Sequence, residues 1–61
     1  MNTYMDSSIK AAIGYLKAFE QGMRLAAMKD DGQISKEEAK ILKRLEKATN
    51  KYIDELEYLI D

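Results

Sequence analysis

The chain has no cysteine, histidine, proline or tryptophan among its 61 residues, and only three glycines. Without cysteine there is neither a disulfide nor a thiolate metal site. Without histidine the commonest general base and the commonest metal ligand are both missing. Charge of one sign is lacking too: ten Lys and Arg against eleven Asp and Glu leave a net charge of −1, so bulk polarity argues for neither nucleic acid nor membrane. No stretch stays uncharged for the roughly 18 residues that a membrane span requires. The opening Met1-Asn2-Thr3-Tyr4-Met5-Asp6 has no basic segment followed by an apolar run. The expectation is one soluble, unprocessed domain over residues 1–61, cytoplasmic in keeping with the absence of cysteine, with a thin core because a chain this short hides only about 60% of its unfolded surface.

What is present is helical periodicity. Ile9, Ala12, Leu16, Phe19, Met23 and Ala26 recur at alternating spacings of three and four residues, and so do Leu42, Leu45, Thr49, Tyr52, Leu56 and Leu59. Two amphipathic helices follow. Thr3, Asp6 and Ser7 offer N-cap chemistry for the first, which is expected to start between residues 3 and 8 and run to about Lys29. Gly14 falls on its outer face, and Gly22 flanks the seam, where it either marks a helix crossing or is simply tolerated near the helix end. The second helix is expected from Lys36 to about Ile60. Between them, residues 29–35 form the one strong break, in which Gly32 can take the left-handed conformation of a C-terminal cap and Ser35 with Glu38 spells a capping box.

Asp31-Gly32-Gln33-Ile34-Ser35-Lys36-Glu37-Glu38 resembles the second half of an EF-hand calcium loop. Gly32 falls on the sharp turn, Ile34 on the apolar position, Asp31 on a ligand position and Glu38 on the closing carboxylate. The first half departs from that pattern, because Ala27 and Lys29 stand where oxygen ligands are needed. The segment is similar in the same way to the turn of tellurite-resistance-type helical domains. A structural turn is therefore expected, without calcium.

No constellation for catalysis is present. Ser7, Ser8 and Ser35 read as caps, and every Lys lies in a polar stretch rather than in the buried setting that a catalytic amine base needs. Asp54 and Glu57 share a helical face, yet a hairpin of this size encloses no cleft to set two carboxyl groups apart in acidity. Glu38 lands near the seam, where its capping role accounts for it. No enzyme, cofactor or metal is expected. Lys36, Lys40, Lys43, Arg44, Lys47 and Lys51 form a cationic stripe opposite the seam that could track phosphates, while interleaved glutamates and the lack of aromatic partners favour a plain solvated face. Asp54, Glu55, Glu57 and Asp61 then make the chain end acidic, which suits an antiparallel neighbour whose helix N-terminus is positive.

Beyond the seam, Ile13 and Tyr15 on the first helix and Ile34, Ile41, Ala48, Ile53 and Ile60 on the second make both stripes broader than a two-helix contact buries. The expected fold is therefore an all-α antiparallel hairpin that dimerises into a four-helix bundle. Ile9, Ile13, Leu16, Phe19 and Met23 from helix 1, with Ile41, Leu42, Leu45, Tyr52, Ile53, Leu56 and Leu59 from helix 2, form its helix–helix interfaces. Off the seam, Leu25 with Met28 near the loop and Tyr4 with Tyr58 at the open end are candidate partner contacts. In layout the chain resembles the small helical-hairpin co-chaperones of bacterial secretion systems, and in length the RNA-binding hairpin that regulates plasmid copy number. The functional expectation is a non-enzymatic interaction or regulatory protein whose partner is itself or another helical protein. The alternative is a small nucleic-acid-binding regulator that uses the cationic face of helix 2.

Overall fold

The computed structural model describes residues 2–29 and 31–60, so Asp30 in the break and Asp61 in the acidic tail lie outside the described residues. Two helices form an antiparallel hairpin: α1, Thr3–Ala27, and α2, Lys36–Tyr58. The cap of α1 is Asn2, whose side-chain oxygen accepts from the Met5 amide at 2.8 Å. Thr3, Ser7 and Ser8 lie inside the helix, and so does Asp6, which instead pairs with Lys10 one turn on at 3.1 Å. Asparagine at this position satisfies an orphan amide as well as serine does.

The capping box of α2 is formed in full. The Glu38 amide donates to Ser35 Oγ at 3.1 Å, and Glu38 Oε1 accepts from the Ser35 amide at 2.8 Å. Gly32 is left-handed, with φ +74, though not as the cap expected of it. The helix has already ended at Met28, and the Gly32 amide closes a separate turn onto the Met28 carbonyl at 2.8 Å. Asp31 Oδ1 accepts from the Gln33 amide at 2.9 Å, so the acid at the calcium-like position is engaged in shaping the turn.

The seam is rotated from the expected one. Among the described residues Ile13, Leu42 and Ile53 are the buried side chains, flanked by half-buried Ile9, Leu16, Met23 and Ala27 on α1, by Leu45 and Leu56 on α2, and by Ile60 just past its end. Ile13 and Ile53, read from the sequence as flanks, are core. Phe19, Tyr52 and Leu59, placed in the seam, are 48%, 54% and 54% exposed. Two causes act. On α1 the inward row runs 9, 13, 16, 20, 23, 27, which admits Glu20; a carboxylate argues against that row until its partner, the Thr49 hydroxyl of α2, is known. On α2 the inward positions 42, 45, 49, 53, 56 and 60 keep to the 3.6-residue turn of a straight helix, from which a strict heptad drifts by about 20° per repeat.

The result is one layer. Its Cα extents are 46 × 17 × 9 Å and its radius of gyration is 14.3 Å, against about 10.5 Å for a compact chain of this length. The thin dimension is one helix deep, whereas stable domains close a core between two layers.

Candidate interaction face

The two broad sides of this slab differ in chemistry. On α1, a second row lies about one residue back from the core row: Met5, Ser8, Ala12, Tyr15, Phe19, Gly22 and Ala26. On α2 the matching row is Ile41, Arg44, Ala48, Tyr52 and Glu55, continued by Leu59 just past its end. Each row sits roughly 90° from its helix's core direction at 100° per residue. Because the helices are antiparallel, both rows fall on the same broad side. At the loop end Ala26 and Ile41 line one depression together with Met23, Ala27, Glu38 and Leu42.

Large apolar side chains stand bare on that side. Met5 is 55% exposed, Tyr15 78% and Ile41 58%, beside the half-exposed Phe19, Tyr52 and Leu59. Small residues lie between them. No heavy atom comes within 4 Å of a Cβ built on Gly22, so this glycine marks no helix crossing inside the hairpin. The opposite broad side is polar. There Arg24 and Glu46 form an ion pair between the helices.

The surface area agrees with an uncovered side. The chain exposes 5240 Å², whereas a compact folded monomer of its mass exposes about 4,000 Å². The difference of about 1,200 Å² per chain has the size of one partner's share in a stable homodimer interface.

The remaining expected positions are placed as follows. Leu25 and Met28 are exposed on the side of α1 away from the apolar face, and Tyr4 and Tyr58 are 86% and 90% exposed, so neither tyrosine packs on the other. Tyr4 instead borders a shallow depression with Met5, Ser8 and Ile9. Lys36, Lys40, Lys43, Arg44, Lys47 and Lys51 are all exposed on the outer edge of α2. Lys40, Lys43, Arg44 and Lys47 line an open groove with Ile41, and none of the six forms an ion pair among the described residues. Also among the described residues, no group of acidic side chains is arranged to hold a metal ion and no helix is long and apolar enough to cross a membrane.

Sequence reasoning missed Met5 as a member of this face. The signal was available: between Thr3 and Ala27 the positions 5, 8, 12, 15, 19, 22 and 26 carry no charge at all. No protein-family model, curated protein or solved structure matches the chain.

Proposed function

We propose that the chain is a non-enzymatic interaction protein, of adaptor, co-chaperone or inhibitor type, that works by helix packing and pairs with a second copy to make a four-helix bundle. The observation that carries this reading is the uncovered apolar side: Phe19, Tyr52, Ile41 and Leu59 share one face of a slab one helix thick. Covering it supplies the missing second layer. Sedimentation equilibrium over a concentration series down to low micromolar protein tests it. A species of twice the 7.0 kDa chain mass is the expected result, and a monomer throughout the series sinks the self-association reading.

A second reading is favoured by one observation, the six exposed cations along the outer edge of α2, none of which is in an ion pair among the described residues. There the protein is a nucleic-acid-binding regulator. Phosphate contacts of this kind weaken steeply with salt. A shift of labelled RNA or duplex DNA at low salt, lost when Lys40, Lys43 and Lys47 are changed to Glu, supports that alternative. The absence of any shift at low salt disposes of it.

A further inference from the structure

Resting on the reading that the apolar side packs against a second copy, we infer that a two-fold axis crosses the helices, stacking α1 on α1 and α2 on α2 and setting the two loops at opposite ends. Two hairpins can be stacked face to face with every neighbouring helix antiparallel in only two ways. An axis running along the helices leaves both loops at one end and puts α2 of each copy over α1 of the other. An axis running across them gives the arrangement inferred here.

The edges of the apolar face distinguish the two. The outer edge of α2 beside this face carries Glu37 in the first turn, then Lys40, Arg44 and Lys51, and then Glu55, so it is cationic through its middle and acidic near its end. The outer edge of α1 carries Ala11, Tyr15, Ala18 and Gly22 and no charge. With both loops at one end, the cations of α2 are pressed onto that neutral edge, losing water without gaining a partner. With the loops at opposite ends, Lys40 and Arg44 run beside the acidic end of the copy, while Lys51, one residue past the level of the axis, lies beside its own copy. Arg44 lies six residues before position 50 and Glu55 five residues after it, so each reaches the other's copy. Within one chain the two are about 16 Å apart along the helix and cannot pair.

The apolar rows are self-complementary about the same axis. On α2, Ile41 and Leu59 lie nine residues either side of Asn50, and Ala48 and Tyr52 lie two either side. An antiparallel copy therefore sets isoleucine against leucine and tyrosine against alanine. On α1, Ala12 and Ala26 lie seven residues either side of Phe19, with Tyr15 and Gly22 four before and three after. Phe19 then meets its own copy, and each tyrosine meets a glycine that has open space above it. The two centres are independent of one another, one on each helix. They fall at one level of the hairpin, because Glu20 meets Thr49 and Arg24 meets Glu46. A single axis passes through both, as a closed two-fold contact requires.

The absence of cysteine makes the test direct. Gln33 is exposed in the turn, and a nitroxide attached to a Gln33→Cys variant of the full chain reports the loop-to-loop distance by pulsed dipolar spectroscopy at concentrations where the chain is dimeric. The expected separation is about one molecular length, the 46 Å long dimension of the hairpin. A distance below about 25 Å, roughly two helix diameters, in a chain of twice the monomer mass overturns the axis and leaves the self-association reading standing. A monomer with no dipolar signal at any concentration overturns both. As a second check, Arg44→Glu and Glu55→Arg should each raise the dimer dissociation constant at least tenfold, and the double variant should recover most of that loss. Failure of the double variant to recover, with the helices intact by circular dichroism, also overturns the axis.

Discussion

Glu20 and Thr49 meet across the hairpin, the hydroxyl of Thr49 donating to a carboxylate that lies half-buried on the inward row of α1. The same hydroxyl lies 3.0 Å from the Leu45 carbonyl of its own helix. It has one proton to give, and the charged acceptor is the stronger of the two. Thr49→Val keeps the shape and removes the donor, so it should cost about 1 kcal/mol, because the half-buried Glu20 carboxylate loses its partner but keeps part of its contact with water. Urea unfolding followed by circular dichroism, at one fixed protein concentration, measures it. Glu20→Leu, which removes the carboxylate as well as the need for a partner, should cost less than Thr49→Val; the opposite ranking rejects this account of the pair.

Neighbouring residues on α2 should behave in opposite ways. Ile53 is 4% exposed and Tyr52 54%. Ile53→Ala leaves a cavity where, among the described residues, only three side chains are buried, at about 2–4 kcal/mol, enough to unfold the helices of so slight a hairpin. Tyr52→Ser should leave helicity at high concentration largely intact while moving the association midpoint to higher concentration in sedimentation.

At the start of α2, Ser35→Ala should lower stability by about 1 kcal/mol, because the Glu38 amide loses its acceptor. Glu38→Gln should cost much less, since glutamine also fits the box. Thermal melts of the two variants side by side check the ranking.

The two mid-helix glycines separate propensity from packing. Gly14 is exposed away from the apolar face, with nothing within 4 Å of an added Cβ, so Gly14→Ala should stabilise by about 1 kcal/mol. Gly22 has equally open space in the single hairpin but lies on the apolar row. Gly22→Ala should gain as much helix propensity and at the same time weaken self-association. Equal and favourable effects of both substitutions on helicity and on association argue that no second helix approaches Gly22.

The helices, the break and the capping box are legible in the sequence because each rests on a local rule. Period, turn chemistry and the Ser35–Glu38 spacing need no knowledge of the rest of the chain. The rotation of each helix about its own axis is not legible in the same way. The apolar arc of α1, broken by Glu20, is wide enough to admit two rows, and choosing between them requires knowing that Glu20 finds Thr49. Met5 and Ser8 were hidden for a related reason. Small and weakly apolar residues carry little hydrophobic signal individually, and they define a face only once the core has been taken away from the other side. The cap was missed because Asn2 precedes the more familiar candidates Thr3, Asp6 and Ser7.

The 9 Å depth of the hairpin also governs how its amides trade protons with water. A thicker domain has a slow kernel, in which central helices exchange only when everything opens. Here each helix is separated from bulk water on both broad sides by one shell of side chains, and loosening either helix uncovers the other. Protection in a lone hairpin should therefore be low and nearly level from Ile13 to Ile53. Any cluster of slowly exchanging amides centred on Phe19 and Asn50 would come from whatever molecule lies across that side.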